Sequence, residues 1–241
     1  MKKVLITGAT SGIGRELAIQ FASKNYIVGL LGRRTDRLEE LAKEIGEQAF
    51  YRTLDVTDFE SASVIYPSIV KEMGGMDIIV LNAGVGRSST LPDWEFDKKT
   101  IDVNVAGFVH GMHFAFGFFK EQGYGQIVGM SSVASHLASG NAAVYTASKH
   151  FISNFMTGFR QKANKLALDI TVTDIRPGFV WSEMTEKNKN MFWVANTKSA
   201  VEQMISAIEK RKKRAYITKR WQLIALIAEL TPQFVWDRLK L

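Results

Sequence analysis

The chain of 241 residues contains no cysteine. That excludes a disulfide framework and thiolate chemistry, and it suits a reducing compartment, so a cytoplasmic protein is expected. Histidine is scarce: the four present show no clustered spacing, which argues against a zinc site, and no metal is expected. With four prolines and 19 glycines the chain has no low-complexity or disordered stretch. It lacks any apolar run near the roughly 20 residues that span a bilayer. The apolar part of its opening, MKKVLITGAT, is too short for a signal peptide.

What is present is 46% hydrophobic residues, enough for one α/β domain over residues 1–241 with a full core. The net charge of +7 suits an anionic ligand, nucleic acid or an acidic membrane surface. The basic run near the C-terminus lacks a base-reading motif, so nucleic acid is set aside.

Residues Ser132–Lys149 contain Tyr145-Thr146-Ala147-Ser148-Lys149. On a helix, Tyr145 and Lys149 lie one turn apart on one face. A phenol with a free pKa of about 10 is a poor acid or base near neutrality. A fixed ammonium beside it favours the phenolate and lowers that value, giving a proton donor suited to a carbonyl oxygen or an alcohol. The spacing alone is equally that of an ordinary helix start.

The N-terminus supplies context. Val4–Thr7 reads as a buried strand, Gly8-Ala9-Thr10-Ser11-Gly12-Ile13-Gly14 as a glycine-rich turn, and Arg15–Ala22 as a helix. Strand, turn and helix in that order form a dinucleotide cradle. Gly8 allows the tight turn, Gly12 lets backbone approach a pyrophosphate, and Gly14 lets the helix pack on the strand, with phosphate at the helix N-terminus. A second strand, Ile27–Leu31, ends in Gly32-Arg33-Arg34, where such folds usually place a carboxylate against the adenosine ribose. No acid is there to repel a 2′-phosphate, and guanidinium groups bind one well, so NADP(H) is expected over NAD(H). Asp36, Glu39 and Glu40 are near enough to pair with those arginines instead.

A helix is expected over Asp36–Ile45 and a third strand over Ala49–Leu54, ending at Asp55-Val56. Asp55 could accept from an adenine amino group, or Asp55 or Asp58 could cap the next helix, Phe59–Met73, which Gly74-Gly75 ends. Asp77–Leu81 is a strand running into Asn82-Ala83-Gly84, small residues over which a ligand can lie. Asp102–Val105 opens a phenylalanine-rich helix reaching about Lys120, apolar on most sides, with one face for the sheet and another for a partner subunit. His110 and His113 on it read as packing or surface residues. Gly125–Met130 is the next strand.

Taken together, Thr7-Gly8-x-x-x-Gly12-x-Gly14, Asp55-Val56, Asn82-Ala83-Gly84, Asn104, Ser132, Tyr145-x-x-x-Lys149 and Pro177-Gly178 resemble the short-chain dehydrogenase/reductase family in order and spacing. The resemblance spans roughly residues 4 to 182. It implies a Rossmann-type, doubly wound parallel sheet of about seven strands with helices on both faces, and a carbonyl/alcohol oxidoreductase. It implies catalytic roles for Asn104, Ser132, Tyr145 and Lys149. Tyr145 would carry the proton, Lys149 would lower its pKa and bind the nicotinamide ribose, Ser132 would hold the substrate oxygen, and Asn104 would hold a water. It also places Val180 and Ser182, after Pro177-Gly178, near the nicotinamide amide, and a mobile lid over residues 182–200. A homodimer or homotetramer is expected.

Lid residues Met184, Met191, Phe192 and Trp193, with Leu137, Phe179 and Trp181, suggest a bulky apolar substrate, or simply pack the lid. A strand is expected at about Ile170–Ile175 and a helix at Ser199–Glu209. Then follow the basic Lys210–Arg214, Lys219-Arg220 and an amphipathic helical extension over residues 219–241. Basic residues beside a Trp-flanked apolar helix suit peripheral contact of residues 210–241 with an anionic membrane; a dimer-burying helix or a substrate-entrance cover are the alternatives. A non-catalytic NADP(H) sensor, or a membrane-docked interaction protein on the same scaffold, is the rival to an enzyme.

Overall fold

In the computed structural model, which describes residues 1–183, 185–186 and 191–239, seven parallel strands alternate with helices. The strands are β1 (Lys3–Thr7), β2 (Ile27–Gly32), β3 (Ala49–Thr53), β4 (Ile78–Leu81), β5 (Tyr124–Met130), β6 (Asp169–Pro177) and β7 (Arg214–Ile217). Their order across the sheet is β3-β2-β1-β4-β5-β6-β7. The order reverses between β1 and β4, and a crevice opens there beyond the carboxyl ends of the strands.

The strands read as continuous apolar runs because both faces are covered. Along β1, Val4 and Ile6 face one way and Leu5 the other, and all three are fully buried. Val4 and Ile6 pack with Leu17 and Phe21 of α1 (Gly12–Ser23), Leu38 and Leu41 of α2 (Thr35–Ile45), and Met204 and Ile205 of α7 (Thr197–Glu209). Leu5 packs with Tyr66 of α3 (Phe59–Glu72), Phe119 of α5 (Phe108–Gln122) and Met156 of α6 (Ala143–Lys165). Asp58 caps α3, its carboxylate accepting from the Ser61 N–H at 3.0 Å. Asp55 instead turns back onto Thr57 and pairs loosely with Arg33.

One expectation needs correction. The helix does not open at Asp102: α4 (Trp94–Ile101) runs through a π-turn, Asp102–Gly107, into α5. The wide turn is an insertion the 3.6-residue period cannot show, and it carries Asn104. As expected, α5 gives one face to the sheet and leaves the other open. Phe108, Met112, Ala115 and Phe119 face the sheet, while His113, Gly117 and Lys120 are exposed. His110 packs against Phe59 and Tyr66, and His113 lies edge-on to Phe159.

The last elements are α8 (Trp221–Leu230) and the single turn α9 (Gln233–Trp236). Lys210–Arg214 sits at the amino end of β7, and Lys219-Arg220 follows its carboxyl end. Four residues of strand, roughly 13 Å, separate the two basic clusters, so only the second adjoins α8.

Phe119 is a direct gauge of the core beneath α5, being fully buried against the sheet. Phe119→Ala should cost about 3–5 kcal/mol, read as a lower urea midpoint at unchanged slope.

Candidate active site

A cleft of about 340 Å³ lies across the carboxyl ends of the strands. It is lined by the turn after β1, the arginines after β2, Asp55 and Val56 after β3, Asn82–Gly84 after β4, Ser132 after β5, and Pro177, Gly178, Val180 and Ser182 after β6. Tyr145 and Lys149 close one end. Six strand ends widely separated in sequence thus converge on one crevice.

The glycine turn has the shape a dinucleotide needs. Gly8 and Gly12 have φ of +68° and +52°, conformations costly to residues with a side chain. A Cβ on Gly14 would stand 2.1 Å from the Gly8 carbonyl oxygen, and one on Gly12 would stand 3.2 Å from the Ser182 Cβ. Asn82 stitches β4 to the turn: its Nδ2 donates to the carbonyls of Thr7 and Gly8, both at 3.1 Å. The bare backbone at the head of α1, with Thr10 and Ser11 beside it, fits a pyrophosphate.

Arg34 is held in place at the cleft rim. Its Nη2 donates to Thr10 Oγ1 and Ser11 Oγ, both at 2.8 Å, and its Nη1 pairs with Glu183 at 3.1 Å. Glu183 also pairs with Arg37, at 2.5 Å. These contacts hold the Glu183 carboxyl below its usual range, the Arg37 hydrogen bond foremost. Arg33 faces Asp55 at 3.5 Å. Sequence reasoning missed Glu183. Its only signal was a carboxylate, one of two with Glu186 in residues 182–200, and nothing in local spacing sets it opposite arginines some 150 positions earlier.

The reactive end is built by the first turns of α6. Tyr145 is half-buried and Lys149 is 6% exposed, its Nζ 5.6 Å from the Tyr145 ring centre. Lys149 Nζ donates to the Met130 carbonyl at 2.9 Å. Burial drives its pKa down to about 8, with Asp174 pulling the other way. The Tyr145 pKa moves opposite to expectation: burial raises it, and only a hydrogen bond with Ser132 opposes the rise. Desolvation of the phenolate outweighs that hydrogen bond.

Ser132 Oγ also donates to the Pro177 carbonyl at 3.2 Å, and its backbone begins a short 3₁₀ turn, Val133–His136. Ser131 is spent elsewhere: its hydroxyl donates to the buried Asp174 carboxylate. Asn104 is not part of the cleft wall. It is fully buried behind it, clamped to Val85 by two bonds of 2.8 Å and donating to Ser148 Oγ at 3.0 Å. The missing side chain of Gly84 keeps it close, since a Cβ there would lie 3.3 Å from Asn104 Oδ1 and 3.4 Å from Lys149 Nζ.

A second cavity of about 180 Å³ shares Tyr145 as a wall, with Arg87, Pro92, Phe96, Asn141 and Val144. Phe192 meets Phe179 edge-on and Trp221 (of α8) at a tilt, and Trp193 meets Trp221 edge-on, with ring centres 5.1–5.9 Å apart. They pack the lid, while Trp181 stays exposed. Met191 is half-buried; Met184 lies outside the described residues.

Residues 2–193 match the family model of the short chain dehydrogenases. The chain belongs to that family. An oxidoreductase of Myxococcus xanthus is 34% identical over 245 residues, covering 98% of this chain and 95% of that one. An NADP-dependent 3-hydroxy acid dehydrogenase of Escherichia coli is 32% identical over 183 residues, 73% of this chain and 72% of that one. Among solved structures, serine dehydrogenase from Escherichia coli superposes with a TM-score of 0.76 at 27% identity, covering 85% of this chain and 90% of that one. The seven-stranded doubly wound sheet is the fold of this short-chain dehydrogenase, which is an oxidoreductase.

The depressed pKa of Lys149 has a consequence for stability. The unfolded chain keeps this proton up to about pH 10.5, the folded one only to about 8. Between those values the unfolded state binds more protons, so the burial penalty on Lys149 lifts as pH rises. Lys149→Met should therefore gain less stability than the parent chain between pH 8 and 10.5, measured by urea midpoints of the cofactor-free proteins.

Proposed function

We propose that this short-chain dehydrogenase is an NADP(H)-dependent enzyme that interconverts a carbonyl and an alcohol, with Tyr145 as general acid and base. The observation that carries this is the meeting of Tyr145, Ser132 and Lys149 at one end of the glycine-lined cleft. The nicotinamide, when bound, supplies or accepts the hydride. Tyr145 gives a proton to the carbonyl oxygen in reduction and takes it from the hydroxyl in oxidation. Ser132 Oγ holds that oxygen beside the phenol and stabilises charge as it develops. Lys149, positively charged below about pH 8, is near enough to favour the phenolate. Asn104 fixes the Val85 backbone through two hydrogen bonds beside the amine.

The turn Gly8–Gly14 with Thr10, Ser11 and Ile13 would hold the pyrophosphate. Asp55 and Val56 would border the adenine, Asn82, Ala83 and Gly84 the ribose, and Pro177, Gly178, Val180 and Ser182 the nicotinamide. Arg33 and Arg34 favour NADP(H). Their carboxylate partners are solvent-exposed pairs of the weak kind, which a phosphate can displace. The named NADP-dependent relative points the same way. The cavity beyond Tyr145, with Phe96, Pro92 and Val144, gives room for a mainly apolar substrate. Residues 182–200 would supply a lid, of which Ser182, Glu183 and Thr185 line the main cleft. The exposed outer faces of α5 and α6, where Phe151 stacks on Phe155 at 5.3 Å, are the place for a second copy in a homodimer or homotetramer.

Two measurements test this reading. In a cofactor-consumption screen over ketones and aldehydes, Tyr145→Phe should lose about 10²–10⁴-fold in turnover while still binding cofactor. Full turnover in that variant would reject the role of the phenol. Arg33→Asp should weaken NADP(H) about 10–100-fold, as expected for a lost charged contact, and leave NAD(H) binding nearly unchanged, shifting preference towards NAD(H). Equal affinity of parent and variant for NADP(H) would reject the role of Arg33.

A further inference from the structure

The C-terminal elements carry a surface that the carbonyl chemistry does not use. On α8, Trp221, Ala225 and Ala228 are buried and seat the helix on the Val133–His136 turn and β7. Leu223, Leu226, Ile227 and Leu230 recur at helical spacing on the opposite face and are 58, 52, 54 and 75% exposed. Phe234 on α9, 61% exposed, continues the stripe. The exposed Phe192 and Trp193 pack on Trp221, at the start of the helix and away from the stripe. The helix is therefore apolar on both faces, and only one of them meets described protein. Single soluble chains rarely expose so many large apolar side chains together.

Charge decides the occupant. Lys219 and Arg220 precede α8, and Arg238 follows α9. Arg238 lies 5.9 Å over the Phe234 ring, at the edge of the stripe, while Arg220 lies 5.2 Å over the Trp193 ring and donates to the Trp193 carbonyl at 2.8 Å. The two carboxylates of the segment are engaged. Glu229 pairs with His136 Nδ1 at 3.0 Å, and Asp237 accepts from Gln233 at 2.9 Å. A second copy pairing across a two-fold along this helix would set its start against the partner's end. A second set of the same cations would then crowd this patch, cation against cation. An anionic bilayer surface accepts stripe and cations together.

We propose that α8 and α9 lie in the plane of an anionic membrane surface, with Leu223, Leu226, Ile227, Leu230 and Phe234 at the headgroup–acyl boundary and Lys219, Arg220 and Arg238 on the lipid phosphates. The ten residues of α8 span roughly 15 Å, half a hydrocarbon core, so the contact is peripheral. No described helix is long and apolar enough to cross a membrane.

The test is flotation of the full chain with vesicles of phosphatidylcholine alone and of phosphatidylcholine mixed with phosphatidylglycerol. The chain should float with the mixed vesicles, and added salt should release it. The double variant Leu226→Ser, Ile227→Ser should lose binding about tenfold or more, and Lys219→Glu with Arg220→Glu should abolish the preference for anionic vesicles. NADP(H) affinity and circular dichroism, unchanged in both variants, show that the fold is intact and keep this result separate from the catalytic reading. The proposal is overturned if the parent chain stays unbound, or if the variants float as well as the parent. It is equally overturned if the leucine–isoleucine variant merely breaks an oligomer that had no vesicle affinity.

Discussion

The site turns on an amine kept out of water beside a phenol. Lys149 is buried with one described hydrogen-bond acceptor, the Met130 carbonyl, and its charge is destabilised enough to bring its pKa to about 8. Burial of an ammonium is tolerated only where its surroundings are fixed. The sheet fixes them. The end of β5 presents Met130, α6 carries Tyr145 and Lys149 in its opening turns, and the missing side chain of Gly84 leaves room for both Lys149 and Asn104.

The same switch point that creates the crevice divides its duties. On the β1–β2–β3 side stand bare glycines and arginines, a surface for phosphate. On the β4–β5–β6 side stand the buried amine, the phenol and the serine, the groups to which the proposal gives the proton transfer. Glu183 spans the two sides, reaching from the lid to Arg34 and Arg37. A phosphate arriving at Arg34 would compete with that carboxylate, so cofactor and lid share a contact.

Much of this was legible in the sequence because it is local. Val4–Thr7, the Gly8–Gly14 turn and the following helix are adjacent in the chain, and Tyr145 and Lys149 lie one helical turn apart. Each strand of the sheet was visible as an apolar run except β7, which is short and half-exposed. What stayed hidden was non-local or energetic. The π-turn that carries Asn104 breaks the helical period, and Glu183 meets Arg34 only through the fold. The two basic clusters look contiguous in sequence but occupy opposite ends of β7. The direction of the Tyr145 pKa depends on how much solvent the fold removes, and spacing says nothing about that.

The central claim is that Tyr145 becomes the working acid of this cleft once cofactor is bound. Burial alone raises its pKa; a bound oxidised nicotinamide would add positive charge on the side where Lys149 already stands. The direct measurement is an ultraviolet difference titration of tyrosinate in the parent chain against Tyr145→Phe, with and without NADP⁺. The account predicts one tyrosinate that titrates above 10 in the free protein and well below 10 in the complex, and that is missing from the variant. A Tyr145 that still titrates at or above 10 with NADP⁺ bound would contradict it.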